Sequence, residues 1–234
     1  MSTSPAILAL HGNLGSPADW DLPGLSNLHP IDLWDHVDLD FHEFAAALAG
    51  PLSAGLEKPF LAGYSLGGRL ALHALAAFPD RWSAAVIVSA HPGLCCVEDR
   101  IARRSSDAIW ADRARSMDWA AFLDQWNAQP LFGEVSPDLR MRQGALEARR
   151  EAIATAFETW SLGRQEDLRS RLGRFTGPVV WITGERDLRF TRIGAEMAEV
   201  FPDFRHIVVP GAGHRVLEEG GEEVRRALNS IPSP

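Results

Sequence analysis

Ser65 stands in Gly63-Tyr64-Ser65-Leu66-Gly67-Gly68, a G-x-S-x-G turn that follows a short apolar run and precedes a helical pattern. Small residues are needed there because the turn is tight and the serine must project from it. The helix N-terminus beside it favours developing negative charge. A serine hydroxyl becomes a useful nucleophile when a base reaches it and an acid holds that base in the right tautomer. His214, in Pro210-Gly211-Ala212-Gly213-His214, offers the base, and Asp187, in Gly184-Glu185-Arg186-Asp187, offers the acid, with Glu185 and Asp203 as weaker substitutes. A Gly-rich turn closed by a capping serine would explain the first motif alone. It would not explain why serine, acid and base each fall at the end of a strand candidate.

An anionic intermediate at Ser65 needs donors, which backbone can supply from turn geometry. The N–H groups of Leu66 and of Asn13, the residue after Leu10-His11-Gly12, are the candidates for an oxyanion hole. His11 reads as a brace for this loop, and the histidines other than His214 read as structural.

These residues need a scaffold that brings strand ends together. Apolar runs bounded by turn residues occur at Ala6 to Leu10, Pro59 to Ala62, Ala84 to Ser89, Val179 to Thr183 and His206 to Val209. Each ends at Gly, Pro or His, and helical periods lie between them, so the pattern predicts an α/β fold with a mostly parallel central sheet flanked by helices. Leu70, Leu72, Leu75 and Ala76 suit a helix packed on the sheet and ending near Pro79. Residues from about Glu219 to Leu228 read as a closing helix. The stretch from about 92 to 175 has no convincing strand, holds four of the eight tryptophans, and is interrupted at Pro130 and Pro137. It reads as a helical cap (92–175) inserted in a core made of 1–91 and 176–234.

Composition narrows the partners. The chain has 234 residues, too few for a large multidomain enzyme, and 46% apolar with 23% charged residues is ordinary for a folded domain. A net charge of −8 is the wrong sign for a protein living on nucleic acid or anionic lipid, so neither partner is expected. The acidic excess lies in the core; the insertion holds 13 arginines against 13 acidic residues. Cys95 and Cys96 are adjacent and have no other cysteine to pair with, which fits a reducing compartment. No apolar stretch reaches the roughly 20 residues of a spanning helix, and the Ala6 to Leu10 run is too short for a signal-peptide core. The cytoplasm is the expected location, as a monomer or small homo-oligomer. The histidines are scattered, and there is no metal-spaced cluster, P-loop or G-x-G-x-x-G turn, so neither metal nor cofactor is expected.

At this point the chain resembles the α/β-hydrolase superfamily, whose sites follow the chain order Ser, Asp, His, and within it the 2-succinyl-6-hydroxy-2,4-cyclohexadiene-1-carboxylate synthases of menaquinone biosynthesis. The likeness runs through Leu10-His11-Gly12 with Leu14-Gly15 and Trp20, the turn from Gly63 to Arg69, and His91-Pro92-Gly93-Leu94 leading to Arg100, Arg103 and Ser106-Asp107. It continues through Trp126, Gln129-Pro130 and Phe132, Ser161-Leu162, Asp167-Leu168, Gly184 to Asp187 with Phe190, and Gly213-His214. The resemblance implies a lyase: a ring proton is removed from a succinyl enolpyruvyl cyclohexene carboxylate, pyruvate leaves, and no water is added. Ser65 would then serve as general base with His214 and Asp187, and the Leu66 and Asn13 amides would hold the enolate.

The substrate so implied carries three carboxylates, which guanidinium forks match. The motif positions are Arg69 and Arg103, with Tyr64 and Trp126 as neighbours. A third family arginine lies farther along the insertion, where Arg149 is preferred to Arg150 or Arg142. Two features depart from the family pattern. Asn13 replaces an aromatic residue after His-Gly, and Asp32 to Phe44 replaces a Pro-Gly-His-Gly loop after the second strand. A serine carboxylesterase or carbon–carbon bond hydrolase acting on small carboxylates, and a non-catalytic small-molecule receptor, are the alternatives on the same scaffold.

Overall fold

The computed structural model describes residues 5–231. Its centre is a six-stranded sheet, parallel throughout, in the order β2-β1-β3-β4-β5-β6. The strands are β1 (Ile7–Leu10), β2 (Leu28–Ile31), β3 (Phe60–Tyr64), β4 (Ala85–Val88), β5 (Val179–Gly184) and β6 (Phe204–Val209). Five of them match the apolar runs to within two residues at either end. The expected α/β architecture is borne out, with β2 in addition. That strand reads Leu-His-Pro-Ile, lies at the sheet edge, and is partly exposed. Its weak apolar signal and Pro30 fit an edge, where a missing N–H breaks no ladder on the open side.

Alternation across the strands divides the interior in two. Leu8, Leu10, Leu61, Ala85, Ile87 and Trp181 pack on one face, and Ile7, Ala9, Ala62, Val86, Val88 and Ile182 on the other. The first face is covered by α1 (Phe41–Ala49), α2 (Leu66–Ala77) and later α8 (Leu188–Glu196); the second by α10 (Gly221–Ser230) and Trp20. The closing helix expected at about Glu219 to Leu228 is α10, displaced by two residues. A separate turn, α9 (Val216–Glu219), precedes it, and Gly220 breaks the two apart.

Between β4 and β5 the chain runs through α3 (Val97–Ser116), α4 (Trp119–Asn127), α5 (Pro137–Gly144), α6 (Arg150–Thr159) and α7 (Arg169–Leu172). Pro137 opens α5, where a missing N–H is harmless. Phe122, Trp126, Ile153, Phe157 and Trp160 from this stretch join the same apolar cluster as Leu70 and Leu75 of α2, so the helices are anchored onto the sheet layer.

The chain leaves β1 towards β2 on one side and resumes from β3 towards β4 on the other. Strand order therefore reverses between β1 and β3, which opens a crevice beyond their carboxyl ends. The loops carrying Asn13 and Ser65 both leave from that crevice.

Candidate active site

Ser65 follows β3 directly, with φ 51° and ψ −106°, a left-handed conformation that is uncommon for a residue with a side chain. The turn is possible because Gly63 and Gly67, two residues to either side, lack side chains. A Cβ on Gly63 would lie 2.5 Å from the Gly67 carbonyl oxygen, and one on Gly67 would lie 2.2 Å from that of Leu10. The Ser65 N–H donates to the Val88 carbonyl at 2.9 Å and the Gly67 N–H to the His11 carbonyl at 3.0 Å, pinning the turn between β1 and β4.

His214 lies in the loop after β6, with its Nε2 3.1 Å from Ser65 Oγ. Its Nδ1 is 2.7 Å from Asp187 Oδ2, and the two side chains are 2% and 3% exposed. Asp187 caps α8 through the Phe190 N–H at 3.2 Å, which fixes its carboxylate after β5. A carboxylate beside Nδ1 places the ring proton there, leaving Nε2 as acceptor for the serine hydroxyl. Phe190, at 4.5 Å between ring centroids, and Phe132, at 5.9 Å, cover the imidazole. Glu185 instead accepts from the Gly211 N–H at 2.9 Å.

The N–H of Leu66 opens α2 beside Ser65, and Asn13 lines the same cavity. Among the described residues neither amide has a protein acceptor. His11 acts as the expected brace: it is fully buried, its Nδ1 lies 2.9 Å from the Gly12 carbonyl, and its Nε2 accepts from the Leu33 N–H at 3.0 Å.

The cavity, of about 170 Å³, is lined by Ser65 and His214 and brings together Asn13, Tyr64, Arg69, Arg103 and Trp126. Arg69 is 7% exposed. Its Nη1 donates to the Trp160 carbonyl at 2.8 Å and Gln165 Oε1 at 3.2 Å, and no described carboxylate lies within ion-pair distance. Burial, and then the Arg103 charge, pushes its guanidinium down to about 9, well below the usual arginine range but still protonated at neutral pH. Arg103 on α3 donates through Nε to Asp107 at 2.8 Å, and Asp107 also accepts from the Ser161 hydroxyl at 2.7 Å, so the fork is held in place. Tyr64 sits 5.9 Å from the His214 ring, and burial raises its phenol so that it stays protonated. Trp126 packs edge-on to Trp110 at 5.1 Å and Phe157 at 5.2 Å, serving core and cavity wall together.

Arg149 is not in this cavity. It pairs with Asp35 at 2.7 Å and Asp32 at 3.4 Å on the protein surface. The alternatives fare no better: Arg150 donates to the Ala114 carbonyl at 2.9 Å and to that of Met117, and Arg142 binds Asp19, Asp138 and Glu218. The acidic stretch that departs from the family pattern supplies the carboxylates, Asp32 and Asp35, that hold Arg149 outside. Ser89 and His91 at the end of β4 do line the cavity. Their position at a strand end is the sequence signal for them, and His91, expected as a structural histidine, lies in the cavity wall instead.

No group of three or more potential metal ligands occurs among the described residues, and no described helix is long and apolar enough to cross a membrane.

A parallel sheet with Ser, Asp and His at the ends of β3, β5 and β6 is the α/β-hydrolase arrangement. A model of the Alpha/beta hydrolase family matches residues 7–227, and the chain belongs to that family. Within it, the chain is 33% identical over 241 residues to a 2-succinyl-6-hydroxy-2,4-cyclohexadiene-1-carboxylate synthase from Escherichia coli, covering 97% of this chain and 93% of the relative. It is 34% identical to the synthase of the same name from Citrobacter koseri, covering 97% and 94%. The structure of MenH from S. aureus superposes with a TM-score of 0.89 at 23% identity, over 99% of this chain and 94% of that one.

Proposed function

We propose that this chain is a carbon–oxygen lyase: it eliminates pyruvate from 2-succinyl-5-enolpyruvyl-6-hydroxy-3-cyclohexene-1-carboxylate to give 2-succinyl-6-hydroxy-2,4-cyclohexadiene-1-carboxylate. The observation that carries the reading is Arg69, a buried guanidinium without a carboxylate partner, facing the cavity that holds Ser65 and His214. A buried charge left unpaired by the protein is a strong reason to expect an anionic ligand. Relatives at 33–34% identity over nearly the whole chain carry this activity in their names.

In this mechanism Arg69 and Arg103 bind substrate carboxylates, and the helical stretch above the sheet caps the site. Ser65 gives its proton to His214 Nε2 as it takes the C2 proton of the ring, next to the succinyl ketone; Asp187 stabilises the imidazolium that forms. The ketone oxygen gains charge and is met by the Leu66 and Asn13 amides. As charge returns from the enolate, the C2–C3 double bond forms, the ring double bond shifts to C4–C5, and the C5–O bond breaks. The departing enolpyruvate takes up a proton and becomes pyruvate. No cofactor enters this scheme. The enzyme works in the cytoplasm on a small anionic substrate, without nucleic acid or membrane, as a monomer or small homo-oligomer.

Pyruvate release, coupled to NADH consumption by lactate dehydrogenase, tests the reading. A robust rate with enzymatically generated substrate supports it. No rate above background from folded protein, together with a burst of p-nitrophenol from short acyl esters, would replace it with a serine esterase.

A further inference from the structure

We infer that Ser89 and His91, at the carboxyl end of β4, are substrate-positioning residues that supply neutral hydrogen-bond donors for the carboxylate taken by Arg69. The inference rests on the lyase reading for the identity of the substrate, but not for the existence of an anion subsite.

Ser89 combines three features. It is fully buried, its Oγ has no hydrogen-bond partner in the protein, and it lines the same cavity as Ser65 and Arg69. Its backbone N–H is satisfied by the Ile182 carbonyl at 2.9 Å, so the hydroxyl is the donor left over. Its φ is 45°, one of four left-handed non-glycine residues among those described, and another of the four is Ser65 itself. The strand end next to the Ser65 turn thus holds a serine in a strained conformation with an unused hydroxyl. Strain and an unsatisfied buried group persist where they serve a ligand. The other orphaned side-chain atoms, on Trp20, His73 and Trp181, belong to residues outside this cavity's wall.

His91, two residues on, has its tautomer fixed. The Gly93 N–H donates to Nδ1 at 3.1 Å, so the ring proton sits on Nε2. Burial, and then the arginines around it, pushes this imidazole down to about 3, so it stays neutral and keeps that single donor. Gln165 ties the residue to the cation: its Nε2 donates to the His91 carbonyl at 2.8 Å while its Oε1 accepts from Arg69. Gln165 therefore ties Arg69 to His91, and Ser89 lines the same cavity as both. The guanidinium supplies charge; the hydroxyl and imidazole supply direction. This arrangement gives the cavity extra donors on a side that Arg149 does not reach.

The test uses Ser89→Ala and Ser89→Gly, since glycine also relieves the left-handed conformation, together with His91→Phe. Both serine variants are expected to raise KM for pyruvate release at least tenfold while changing kcat less than threefold, with unchanged or raised thermal midpoints. The second readout is calorimetric binding of succinate, which needs no turnover: affinity should weaken at least fivefold in Ser89→Ala, His91→Phe and Arg69→Met. Weakened succinate binding in a protein that releases no pyruvate would uphold the subsite and overturn the lyase reading. Robust pyruvate release with KM and succinate affinity within twofold of the unaltered protein in both serine variants would overturn the subsite alone. Absence of both turnover and succinate binding in the unaltered protein would overturn the two together.

Discussion

Replacing Arg69 by Met separates what this residue does for the fold from what it does for the substrate. The guanidinium is held at about 9 against an ordinary 12.5, chiefly by burial, and each tenfold displacement is worth 1.36 kcal/mol. Keeping the charged side chain inside, where it is almost wholly shielded from water, therefore costs about 5 kcal/mol relative to the neutral form. Met fills a similar volume and removes that cost. It also strands the Trp160 carbonyl and Gln165 Oε1, a loss of roughly 1–3 kcal/mol for each group left without a donor. The opposing contributions nearly cancel, so Arg69→Met should keep its unfolding free energy within about 1–2 kcal/mol of the unaltered protein or exceed it. Catalysis should behave differently. A desolvated guanidinium–carboxylate contact is worth about 3–5 kcal/mol when one partner is removed, so kcat/KM for pyruvate release should fall by about two to four orders of magnitude. Steady-state kinetics and urea unfolding on the same preparations decide the matter. A variant several kcal/mol less stable yet within threefold in kcat/KM would mean that Arg69 is a structural cation.

Three further expectations follow from particular geometries. Arg149→Ala should leave kcat/KM within twofold and stability within about 1 kcal/mol, because its partners Asp32 and Asp35 form a surface pair; a larger activity loss would place it in the site after all. His73 and His91 are both pushed down to about 3, by burial above all, from an ordinary 6.5. They stay neutral in the native state, so the unfolded chain takes up the protons as pH falls below 6.5. Stability is lost from there towards pH 3, at about 2 kcal/mol per histidine by pH 5. Urea midpoints at pH 7 and 5 measure this, and His73→Phe should remove about half of the slope. Gly67→Ala places a Cβ 2.2 Å from the Leu10 carbonyl, so it should yield insoluble or inactive protein; a soluble variant of full activity would show that the turn has room to move.

The residues legible from sequence were those tied to local turn chemistry. Ser65 was recognisable because a sharp strand-to-helix turn demands Gly63 and Gly67, and Asp187 and His214 because they sit in short Gly-containing loops after strongly apolar strands. β2 escaped the periodicity because an edge strand needs little apolar patterning and tolerates Pro30. The arginines were harder, since which one faces inward depends on how α3 and α6 pack, and the insertion offers 13 candidates. Arg103 is inward because Asp107, one turn on and itself fixed by Ser161, holds it, whereas acidic residues far away in sequence claim Arg149. Ser89 is marked in the sequence only by its place at the end of an apolar run. Its φ and its unused hydroxyl are properties of the folded chain.

In the lyase mechanism Ser65 removes a proton and forms no acyl intermediate. The most direct test is acid-quenched turnover followed by mass spectrometry of the intact protein, with pyruvate release measured in parallel for the unaltered enzyme and Ser65→Ala. Robust pyruvate release at unchanged protein mass is expected, with a rate at least about a thousandfold lower in the folded Ser65→Ala variant. A substrate-derived adduct on Ser65 during turnover, or a Ser65→Ala variant that keeps its rate, would contradict it.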